Sequence, residues 1–107
     1  MSPLLGNGSD LNQAEKSFKH AIELHRQAQD VLGEANDYQS LGKLQMHWDK
    51  LEEAEKSFKQ AIELYQQAHS VLGEANVHLR LSELQMHWDE LEEAEQFFMH
   101  AIELHRW

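Results

Sequence analysis

The chain has 107 residues, a formal net charge of −10 and no cysteine, which is enough for one domain with a modest core. These facts exclude disulfides and thiol chemistry, and set a repulsive field against nucleic acid or an anionic membrane. They leave a cytoplasmic location as the default, since no signal-peptide pattern or membrane-spanning apolar run is present.

Only one proline and five glycines occur, a composition that favours helix. Residues 1–10, MSPLLGNGSD, carry that proline and two of the glycines, and read as a poorly ordered tail or the remnant of a helix. A repeat then begins. Leu11, Leu51 and Leu91 open three copies with a period of 40 residues: 11–50, 51–90 and a partial copy over 91–107. About two thirds of aligned positions in the first two copies are identical, more than shared helical composition gives.

Each full copy holds two helical patterns. In the B pattern Leu51, Ala54, Phe58, Ala61, Leu64 and Tyr65 recur at three- and four-residue steps, which puts them on one face. In the A pattern Ala35, Tyr38, Leu41, Leu44 and Trp48 do the same, with Gly42 and its counterpart Ser82 as small residues where another helix can approach. Asp30 and Ser70 are predicted N-caps of the A helices. Asp49 and Asp89, each followed three residues later by glutamate, are predicted capping boxes of the B helices. The predicted order is B-A-B-A-B in an all-α chain, with residues 11–107 as a single domain. The A-to-B corner MHWDKLEE has neither glycine nor proline, so an A and a B helix can fuse there.

Tyr38, Leu41, Gly42, Ala54, Phe58 and Ala61 fall in the order and spacing of the tetratricopeptide motif, followed in the next copy by His78, Leu81, Ser82, Ala94, Phe98 and Ala101. With its VLGEAN stretch opening each A helix, the 40-residue period resembles the longer repeats of Pins-type adaptors and kinesin light chains. His78 in the tyrosine slot, Ser82 in the glycine slot, and Gln45 and Gln85 in place of the usual aromatic depart from that motif.

The resemblance implies a superhelical stack of antiparallel hairpins whose A helices line a concave, protein-binding surface. It places Asn36, Gln39, Lys43, Met46 and His47 of one unit, and Asn76, Leu79, Arg80, Glu83 and His87 of the next, on that surface. Much of the variation between copies falls here: Gln39 becomes Leu79, Ser40 becomes Arg80 and Lys43 becomes Glu83. Some members of the family grip a peptide carboxylate with a lysine, arginine and asparagine cluster; Gln39 stands where lysine is expected, so that clamp is incomplete. An extended peptide or amphipathic helix is the expected partner.

Other readings of these residues are weaker. His20 and His25, like His100 and His105, lie five apart, about 140° around a helix, a poor spacing for one metal ion, and no metal or other cofactor is expected. Glu52, Glu53 and Glu55, and Glu92, Glu93 and Glu95, suit the positive ends of helix dipoles better than paired-carboxylate catalysis. Trp48 and Trp88, at one phase of the repeat, suit hairpin packing. No nucleophile, base and orienting partner are placed together, so no catalytic residue is expected. An alternative function is that of a self-assembling structural or engineered repeat, dimerising or exchanging hairpins through uncapped ends and burying Phe18, Leu24, Phe98 and the region of Trp107.

Overall fold

Three of the four predicted corners form. In the computed structural model, which describes residues 7–105, the chain runs α1 (Asn7–Gln27), α2 (Val31–His47), α3 (Leu51–Gln67) and α4 (Val71–His105). α1 thus starts within the segment read as a tail; Pro3 and Trp107 lie outside the described residues. The architecture is all-α, each helix packed on its neighbours in sequence. α1 and α3 are B helices, α2 is an A helix, and α4 is an A helix continued without a break through the third B segment. Although 35 residues long, α4 is not apolar enough to cross a membrane, nor is any other helix among the described residues.

The core forms around α3, whose Leu51, Ala54, Phe58, Ala61, Leu64 and Tyr65 are all buried, as the B pattern predicts. α2 covers one side with Ala35, Leu41 and Gly42, and α4 covers another with Val77 and Leu84. Glycine is required at two close approaches. A Cβ at Gly42 would meet the Phe58 ring at 2.6 Å, and one at Gly73 would meet the Tyr65 ring at 2.4 Å, so a side chain at either position would push two helices apart.

Each of the three corners is three residues long and turns on a left-handed residue, Gln29 (φ 58°), Asp49 (φ 61°) or His69 (φ 57°). The amide after it reaches back to the preceding helix: Asp30 to His25 O at 2.8 Å, Lys50 to Gln45 O at 2.8 Å and Ser70 to Tyr65 O at 2.9 Å. Asp30 and Ser70 cap the A helices as expected, accepting from the amides of Gly33 (2.9 Å) and Gly73 (3.2 Å). Asp49 does not cap α3. Its left-handed backbone makes it the pivot of the corner, and Lys50 takes the N-cap position with no side-chain bond. Asp89 lies inside α4, so Glu92, Glu93 and Glu95 are mid-helix, whereas Glu52 and Glu53 do occupy a first turn.

Why the second A-to-B corner stays straight is legible in three substitutions. At the first corner, Gln45 Nε2 donates to Glu15 Oε2 (3.0 Å), Ser57 Oγ donates to Gln45 Oε1 (2.6 Å) and Lys50 Nζ donates to Glu15 Oε1 (3.2 Å). This buried polar cluster clamps α1, α2 and α3 together. Forty residues on, Lys50 becomes Glu90, which a closed hairpin would set opposite Glu55, the counterpart of Glu15, so that attraction would become repulsion. Ser57 becomes Phe97, which cannot bond Gln85, and Gly42 becomes Ser82, whose Cβ would collide with Phe98 if the hairpin closed in the α2–α3 geometry. A left-handed non-glycine residue costs roughly 1–2 kcal/mol. Without clamp and close packing to offset that cost, continued helix is favoured. The counterparts Phe58 and Phe98 show the result: 0 % exposed in the closed hairpin, 71 % in the open one.

Candidate protein-binding surface

α2 touches α4 directly, whereas among the described residues α1 and α3 do not meet. The A helices therefore lie closer together than the B helices, on the side where the resemblance places a binding surface. Two parts of this surface are built by contacts between elements.

At one end, the Tyr65 hydroxyl of α3 reaches through to α2, facing Asn36 Oδ1 and, at 2.9 Å, Gln39 Oε1. One proton serves one of the two acceptors at a time, so the other keeps hydrogen-bonding capacity for a guest. Burial of the phenol pushes its pKa up, which keeps it a neutral donor. The position is copy-specific: Tyr65 stands where the other copies have His25 and His105. That change was the signal that could have marked Tyr65 as the buried residue that holds Asn36 and Gln39 from beneath. Its counterpart His25 instead pairs with Asp37, 2.5 Å from Nδ1 to Oδ2, and that bond raises the imidazole pKa above its ordinary value.

At the other end, Met46, His47 and Asp49 from α2 and its corner face Glu83 and His87 of α4 across an open cleft of ≈ 290 Å³. His87 Nε2 lies 2.8 Å from Asp49 Oδ1 and ties the two units together. Arg80 and Glu83 pair at 2.9 Å along α4, and the Arg80 Nε is buried with no partner among the described residues. Of the predicted residues, the fold thus gathers His47, Glu83 and His87 at one cleft, with Arg80 beside it, and Asn36 with Gln39 at Tyr65. Lys43, Asn76 and Leu79 stand exposed on their helices. Met46, also expected on this face, lines the cleft too, and Asp49 joins it. Asp49 was expected only as a cap, because its place on the inner surface depends on the left-handed turn.

The surface is chemically mixed. Amides, imidazoles, a carboxylate, basic groups and exposed Leu79 lie along two adjacent helices, an arrangement suited to backbone and side-chain contacts with a bound segment. A second depression of ≈ 300 Å³ lies over Tyr38, Leu41 and Gln45, rimmed by Lys19, Glu53 and Lys56. Comparison with models of protein families finds the tetratricopeptide repeat at residues 38–67 and again at 75–106. Neither the curated proteins nor the solved structures gave a match.

Proposed function

Because the chain belongs to the tetratricopeptide repeat family, whose repeats generally mediate protein–protein interaction, we propose that it is a non-enzymatic cytoplasmic adaptor that holds a partner's peptide or helix on the inner surface of α2 and α4. The 40-residue period further aligns it with the longer repeats of Pins-type adaptors and kinesin light chains, and the cysteine-free sequence suits a reducing compartment. The observation that supports the reading is the direct meeting of α2 and α4, where Met46 and His47 of one unit face Glu83 and His87 of the next across one cleft. A fixed core with a varying inner face is what recognition requires. Fixed residues maintain the curvature, while Gln39 against Leu79 and Lys43 against Glu83 alter what the groove contacts.

The test is selection of binding peptides on the 107-residue chain, followed by titration against Asn36→Ala, Lys43→Ala, Asn76→Ala and Arg80→Ala, with helicity checked by circular dichroism. At least one substitution is expected to weaken binding about tenfold or more, equivalent to about 1.4 kcal/mol. Affinity unchanged in all four removes the groove. Self-association is a second reading, favoured by a different observation: the apolar side chains that the open half of α4 leaves uncovered.

A further inference from the structure

α4 has a packed root and a free arm. Its first half is held on α3 through Gly73, Val77 and Leu84, and Trp88 is the last residue that packs on the core. Every residue from 89 to 104 is exposed, which makes an arm about 24 Å long at about 1.5 Å per residue. Its direction is set where α4 leaves the body of the protein. There, among the described residues, His87 is the last side chain that bonds outside α4: its Nε2 lies 2.8 Å from Asp49 Oδ1 on the corner after α2. Asp49 is itself fixed, being the left-handed pivot of that corner with its amide bonded to Met46 O at 3.1 Å. α2 meets α4 over a smaller area than α3 does, so this bond stands at a lightly packed crossing.

Imidazole is the side chain that ordinarily changes charge between pH 5 and 8. Once charged, it adds Coulomb attraction to its bond with a carboxylate. We propose that His87 and Asp49 form a proton-controlled tie, which fixes the root of α4 on the α2 corner in mildly acid solution and slackens as the imidazole loses its charge, freeing the arm to tilt. The chain holds a second pair of this kind between helices: His25 of α1 bonds Asp37 of α2, and that bond raises the imidazole pKa. α2 is thus tied on both sides, toward α1 through Asp37 and toward α4 through Asp49. The device needs no guest to operate, although it borders the proposed binding cleft.

The other charged groups at the crossing are accounted for. From α2 and its corner, His47 and Asp49 face His87 across the cleft, and Glu83 of α4 lies beside them. Glu83 is paired with Arg80, and Asp89 accepts from Gln85 Nε2 at 3.2 Å. Among the described residues α3 sends His87 no ion-pair partner. Asp49 is therefore the carboxylate that answers the imidazolium. His47 gains charge over the same range and draws on the same carboxylate, so it moderates the tie. With side chains 38 % and 71 % exposed, the pair is screened by solvent, which keeps its effect to about a two- to fivefold change in the tied population. The arm magnifies that change: a tilt of about 10° at the root moves its far end by about 4 Å.

The experiment is a distance measurement between spin labels at Glu63→Cys on α3 and Glu103→Cys on the arm, both exposed positions in a chain without native cysteine. Labelled chain is diluted with unlabelled chain so that only distances within one molecule are read, and circular dichroism checks that helicity is unchanged. The expected result is a narrow distribution at about pH 5.5 and a broader one at about pH 8.5. Asp49→Asn, whose side chain tolerates the left-handed corner, and His87→Gln should each give the broad distribution at both values, while Asp37→Asn should keep the response. A distribution that does not change with pH overturns the tie. A response that survives Asp49→Asn or His87→Gln overturns it as well, and one that vanishes only in Asp37→Asn moves the control to the α1–α2 pair. Because no guest is present, each of these results leaves the binding of a peptide on the inner surface to its own test.

Discussion

Gly42→Ser places in the second copy's own residue a test of why the first hairpin closes. The new Cβ would stand 2.6, 2.7 and 3.0 Å from three carbons of the Phe58 ring. That ring is 0 % exposed and held in the core with Ala54, Ala61 and Leu64, so it cannot swing aside. Overpacking of this kind costs about 1–3 kcal/mol. Removing a glycine from a helix interior returns about 0.5–1 kcal/mol, leaving a net loss of about 1–2 kcal/mol. In a domain of this size 1 kcal/mol is worth about 4–8 °C, so the melting temperature followed by circular dichroism should fall by about 5–15 °C. Pairing the change with Phe58→Leu should recover part of the loss, since contacting residues couple by about 0.5–3 kcal/mol. Ser82→Gly in the open half of α4 should cost only its helix propensity, about 0.5 kcal/mol. A Gly42→Ser chain as stable as the parent would refute the close-approach argument and with it one of the three reasons given for the straight second corner.

Gln45→Leu should destabilise the chain by about 2–4 kcal/mol, read as a shift of the urea midpoint, because it strips one bond each from the buried Glu15 carboxylate and Ser57 hydroxyl at about 1–3 kcal/mol apiece; an unchanged midpoint would show that the cluster does not clamp the corner. Donation from Gln45, aided by Lys50, holds the Glu15 pKa below 4.5. Its contribution to stability is therefore present above the unfolded value and lost as pH falls through the folded one, and Glu15→Gln should flatten this part of the acid limb. The bond to Asp37 raises the His25 pKa above 6.5, so its contribution is fully present below that value and lost as pH rises through the folded pKa. Urea midpoints measured from about pH 6 to pH 9 should decline across that window, with Asp37→Asn removing the decline; an equal slope in both chains would sink the assignment.

The sequence by itself determined the repeat, the all-α class, the B and A patterns, the Asp30 and Ser70 caps and the buried face of α3. All of these follow from local periodicity and from side chains acting on their own backbone within a few residues. Tertiary structure decided what happens at the corners. MHWDKLEE and MHWDELEE are nearly the same text, yet one turns at Asp49 and the other runs on as helix through Asp89. The difference lies in what each segment meets: Glu15 or Glu55 across the corner, and a gap or a Cβ facing the phenylalanine ring. The inner surface was half legible for the same reason. Residue positions on the A helices followed from the repeat, whereas the union of His47, Glu83 and His87 across one cleft, and the reach of Tyr65 to Asn36 and Gln39, needed helices from separate units to be set against each other. A left-handed turn costs about as much as one good contact provides, so local sequence leaves the two conformations nearly balanced and the packing of distant residues selects between them.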